Sequence, residues 1–115
     1  MESVLFHIIG AAEWTEAERL GCHAPQSLAT EGFIHLSERR QILRPANLLY
    51  AGRQDLELLV IDRSKLRADV VYEPGSHGED ELFPHLYGQL DLDAVSRRVD
   101  FPCGADGQFV LPSDL

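Results

Sequence analysis

Cysteine is scarce in this chain. Cys22 and Cys103 are the only two among 115 residues, and they lie far apart with no CxxC or comparable metal-ligand spacing. A disulfide scaffold is therefore not expected, and the thiols read as reduced. Long apolar runs are missing too. No stretch approaches the length of a membrane span. The start, MESVLFHIIG, carries an acidic residue where a secretory leader would be basic, and its apolar run is short. These absences predict a cytoplasmic protein with no membrane partner. Basic residues are outnumbered, 10 against 19 acids, for a net charge of −9. Bulk duplex nucleic acid is recognised by basic surfaces, so that partner class is not expected. A small anionic ligand held by Arg39, Arg40 and Arg44 is compatible with the overall charge. The chain has no GxSxG elbow, no P-loop, no GxGxxG and no HExxH. Cys22 neighbours His23, but adjacent side chains on a strand or loop diverge, so a thiol nucleophile has no support.

What is present is one domain's worth of ordinary globular composition, 44% apolar and 25% charged, enough to bury a core without staples. Strands are expected over residues 3–9, 33–37, 55–62 and 69–73, with a short one from residue 85 to 87. The first reads as central and covered on both sides, because both its faces are apolar. Helices are expected over residues 12–20, ended by Gly21, over 25–30, and over 38–51, where Pro45 should kink or split the helix. Residues 64–66 read as a single helical turn. Residues 94–102 and 108–111 read as a terminal hairpin around the Asp106-Gly107 turn. The polar loop over residues 75–82 reads as a lid or disorder candidate, with His77 exposed in it. Helices early and strands late predict an α+β fold with a mixed or antiparallel sheet, not a doubly wound one.

Histidine is where the sequence is unusual. His7, His35 and His85 each sit inside an apolar strand, in LFHIIG, EGFIHLS and FPHLYG. A buried imidazole needs a partner for each ring nitrogen, so three of them predict a polar pocket sunk into a sheet. His35 and Ser37 share a strand face, as do His85 and Tyr87. Ser37 stands at an expected helix start, whose free N–H groups suit an anion, and Gln41 follows one turn later on the same side. Tyr87 is expected to stack on a ring or position a proton donor. Glu73, at the end of VVYE, is placed to orient a histidine, act as a base or bind a ribose hydroxyl. His35, His85 and Glu73 are accordingly the candidate catalytic residues, and His7, Ser37, Gln41 and Tyr87 the candidate ligand-binding ones. Each has a plainer reading: a core histidine bonded to a carbonyl, an N-cap serine, a core-edge tyrosine, one acid among many. Asn47 is either buried and polar or turned to a ligand. A metal site built from the three histidines is an alternative that no ligand spacing supports.

LFHIIG, Trp14, SLATEGFIHLS, Gln41, Asn47, DLELLVID, VVYE, FPHLYGQLDLDAV and GQFVLP, in that order, resemble the bacterial family called domain of unknown function 952. The resemblance spans almost the whole chain. It implies a remote likeness to the ADP-ribosyltransferase-like fold, a split sheet around a cleft, with NAD or a related nucleotide as ligand and a transferase activity. His7, His35, Tyr87 and Glu73 are the residue types that likeness calls for. The Arg-His-Arg-Arg set of the RNA phosphotransferases and the Arg, Ser-Thr-Ser, Glu pattern of many toxins are not found. Three functions follow as expectations: a nucleotide-binding cleft with transferase activity, a non-catalytic binding or interaction module, and a metal-dependent hydrolase.

Overall fold

The computed structural model of the chain describes residues 3–75, 78 and 80–115. Strand β1 (Val4–Gly10) leads into helix α1 (Ala11–Leu20), the short strand β2 (Cys22–His23) and the five-residue helix α2 (Gln26–Thr30). Strand β3 (Ile34–His35), a 3-10 turn over Arg39–Gln41 and helix α3 (Leu43–Leu49) follow. The second half holds β4 (Leu56–Asp62), β5 (Asp69–Pro74), β6 (Leu82–Tyr87), β7 (Leu90–Asp91) and β8 (Val95–Asp100). The strands form three sheets, β1-β4-β8, β2-β7 and β3-β6-β5, and every pairing is antiparallel. The fold is thus α+β with split antiparallel sheets and its helices in the first half, as the element order predicts. No described helix is long and apolar enough to cross a membrane.

The middle strand of the first sheet is β4, not β1. Its run LELLVID is nearly unbroken in apolar residues because both faces are covered. Leu59 and Ile61 join Leu5 and Ile9 of β1 in one core cluster, while Leu58 and Val60 join Phe6 in another. The expectation of a central β1 is corrected on position alone: β1 is an edge of its sheet, yet both its faces are packed. Its free edge is closed by a main-chain bridge in which Phe6 and Ser37 exchange N–H···O bonds of 2.8 Å. That bridge carries the histidine of β1 towards the second sheet.

Local chemistry explains the remaining departures. Pro45 does split the expected long helix, into the 3-10 turn and α3, and it falls in the first turn of α3, where an N–H has no helical partner to lose. Pro84 sits inside β6, which extends upstream of the expected start at residue 85. Leu36 N–H donates to the Pro84 carbonyl at 3.0 Å, so the missing Pro84 N–H also faces the β3 side, where that strand has ended. The terminal hairpin does not form. β8 pairs with β4 instead, and the Asp106-Gly107 turn closes a loop in which Gly104 N–H bonds to Gln108 O at 2.7 Å. Asn47 Oδ1 accepts from Phe109 N–H at 2.7 Å and fastens this tail to α3. Both cysteines are free. In the loop over residues 75–82, Ser76, His77 and Glu79 lie outside the described residues.

Candidate functional site

The site is assembled by strand register. His35 of β3 and His85 of β6 are direct cross-strand partners. Their rings lie edge to face with centroids 5.6 Å apart. His7 reaches them from β1, where its Nδ1 meets the His35 carbonyl at 2.8 Å. These three residues line one hollow of about 280 Å³, together with Glu13 of α1, Gln26 and Ser27 of α2, Ser37, Phe83, and Pro45, Leu49 and Tyr50 on and after α3. Glu13 also caps the start of its own helix, accepting from Gly10 N–H at 3.2 Å.

Each imidazole is fixed by a different partner, and the partners dictate the tautomers. A carbonyl only accepts, so His7 Nδ1 carries a proton and donates it to His35 O. His7 Nε2 must then accept, and His23 Nε2–H donates to it across 3.2 Å. Both nitrogens of His7 are spent. Burial first, and then the neighbouring His23 ring, hold its pKa down at about 3, so the ring is neutral. Burial also lowers His23, against the pull of Glu13. His35 Nε2 donates to Glu31 Oε2 at 2.7 Å, which leaves Nδ1 as that ring's acceptor when neutral.

His85 is the most enclosed of the group, with 2% of its surface exposed. Its Nδ1 donates to Glu73 Oε1 at 2.8 Å. Phe33 lies flat on the ring, centroid to centroid 3.9 Å and 12° from parallel. Its Nε2 is buried and has no hydrogen-bond partner among the described residues. An unsatisfied buried ring nitrogen costs about 1–3 kcal/mol, and His85 is one of the residues that line the hollow. The Glu73 carboxylate also accepts from Tyr87 Oη at 2.6 Å. Those bonds, from Tyr87 first and His85 second, lower the Glu73 pKa and keep it ionised, and the same contact raises Tyr87. A carboxylate on Nδ1 and a free Nε2 make a general base, or a hydrogen-bond acceptor, of the imidazole.

Of the residues named from sequence, His7, His35, His85 and Ser37 line the hollow, and Glu73 stands behind His85. Tyr87 and Gln41 are not in its lining. Tyr87 is 41% exposed, and its hydroxyl donates to Glu73 Oε1. Gln41 is buried and bound elsewhere: Nε2 donates to Leu82 O at 2.7 Å and to Glu81 Oε2 at 3.1 Å, and Oε1 accepts from Glu38 N–H at 2.9 Å. Glu38, not Ser37, is the residue before the 3-10 turn, so Ser37 does not cap it as expected. Arg40 pairs with Glu81 and Glu38, and Arg39 donates to Leu115 O at 2.7 Å. Sequence reasoning missed His23, Glu31, Phe33 and Glu13. The spacing of Glu31 and His35, four residues apart, was the one cue within reach.

Among the described residues no three His, Cys, Asp or Glu side chains are grouped to hold a metal ion.

The sequence as a whole matches a known family. The family model described as protein of unknown function, DUF952, matches residues 8–98. The chain belongs to that family. The crystal structure of the DUF952 chain's relative CC0527 from Caulobacter crescentus is 34% identical in sequence, with 94% of each chain covered and a TM-score of 0.81. The solution NMR structure of CC0527 is 32% identical, covers 99% of this chain and 97% of that one, and has a TM-score of 0.82. Comparison with curated proteins returns no match.

Proposed function

We propose that this DUF952 protein binds the ribosyl end of an NAD-type nucleotide in the histidine hollow and acts on it as a transferase, in the bacterial cytoplasm. Kinship with the ADP-ribosyltransferase-like fold is part of the same proposal. The observation that carries it is the buried Nε2 of His85, without a partner among the described residues and backed by the Glu73 carboxylate.

The size of the hollow, about 280 Å³, fits a nucleoside-sized fragment and not a whole dinucleotide. Its described lining holds Glu13 and three imidazoles and no lysine or arginine, which favours a cationic nicotinamide-ribose over phosphates. The phosphates would then lie outside. In this reading His85 Nε2 and His35 accept from ligand hydroxyls, Ser37 donates or accepts beside them, and His7 forms the wall. Breaking the glycosidic bond sends its electron pair out with nicotinamide and leaves an oxocarbenium ion, which a nearby carboxylate stabilises. The acceptor's oxygen then bonds to the ribosyl carbon, and its proton passes to His85 Nε2.

Thermal melts with NAD and ADP-ribose test the proposal. A ligand at 100 times its Kd adds about 2.7 kcal/mol to a protein that binds it only when folded. A rise in Tm for the wild type that vanishes in His85→Ala supports the reading, and no rise at millimolar ligand refutes it. The fully paired state of His7 favours a second reading, a non-catalytic module whose histidines specify the core. There, His85→Ala loses stability and no ligand shifts the melt.

A further inference from the structure

One oxygen of Glu73 serves two donors in opposite settings. Tyr87 Oη, from a residue 41% exposed, reaches Oε1 at 2.6 Å, and His85 Nδ1, from a residue 2% exposed, reaches the same oxygen at 2.8 Å. Tyr87 and His85 share a face of β6 because they are two residues apart. Glu73 comes to them from β5, where its register partner is Phe83. A glutamate on a strand with its side chain about one-third exposed has rotamer freedom to lose, and a single hydrogen bond to a histidine restrains it weakly. The second donor narrows that freedom.

We infer that Tyr87 is a positioning residue for His85: its hydroxyl holds the Glu73 carboxylate against His85 Nδ1–H and so fixes the tautomer in which Nε2 is the ring's acceptor. This rests on the reading of the hollow as a ligand site, since the tyrosine itself is outside it. The carboxylate stays charged while two donors point at one of its oxygens, which agrees with the lowered pKa of Glu73 and its first cause, the Tyr87 hydroxyl. Removing the hydroxyl alone leaves the ring in place, 5.4 Å from Phe33.

Tyr87→Phe is therefore the variant to compare with wild type, by NMR and without ligand. The His85 Nδ1 proton should exchange with water roughly tenfold faster once one charge-assisted bond to the carboxylate is gone. The Glu73 side-chain carboxyl should titrate at higher pH than in the wild type. A merely structural tyrosine would move neither readout, because phenylalanine preserves its packing. An exchange rate equal to wild type overturns the inference, whatever the titration does. NAD binding to the wild type is measured separately. Its failure refutes the ligand reading and not the positioning role, which the exchange rate decides alone.

Discussion

His7 and His85 show how one residue type takes two roles. Both lie in strands lined with apolar residues. His7 gives each nitrogen to the protein, while His85 keeps one without a partner among the described residues. Their replacements should separate accordingly. His7→Ala leaves the His35 carbonyl and His23 Nε2 without a partner and opens a void, at a cost of about 2–4 kcal/mol in a denaturant titration. Glu73→Gln removes a carboxylate that is partly exposed, so it should melt close to wild type. It should weaken NAD or ADP-ribose binding at least about tenfold by calorimetry, the worth of a charge-assisted bond. That the histidines would meet was legible in the sequence, because a polar ring amid LFHIIG or FPHLYG is hard to satisfy otherwise. Which nitrogen each would spend was not legible, because the partners are a main-chain carbonyl and a histidine 16 residues away.

At the scale of elements, the short β3 does most to form the site, since its pairing with β6 sets His35 opposite His85. The period-two rule found which residues share a face, and so anticipated His85 with Tyr87. It did not find β2, only two residues long, whose pairing with β7 brings His23 up to His7. Nor did it separate β8 from a local hairpin, because alternation does not name the partner strand. Gly88 closes β6 with no room to spare: a Cβ there would lie 2.6 Å from Ala68 Cβ. Gly88→Ala should cost about 1–3 kcal/mol as overpacking. Ala68→Gly in the same chain should recover much of that loss, and equal melts for the single and double variants would contradict the contact.

At the scale of the whole molecule, the buried imidazoles set the acid side of stability. His7 titrates near 3 when folded against 6.5 as a free side chain, and His23 is lowered in the same sense. Between those values the unfolded chain binds more protons than the folded one, so stability falls as pH drops from 6.5 towards 3. The lowered carboxylates of Glu73 and Glu81 add loss in the same direction below their ordinary value of 4.5. Melts across pH should show Tm declining through this window, with a shallower decline above pH 4.5 in His7→Ala. A wild-type Tm unchanged from pH 7 to 5 would contradict the neutral His7.

The most direct measurement is a titration of NAD into the protein labelled at its histidine ring nitrogens. The account predicts that the His85 Nε2 resonance moves with ligand and saturates, while the His7 resonances, spent on His35 and His23, change little. Saturable binding that leaves His85 Nε2 unmoved, or no binding at millimolar NAD, would contradict it.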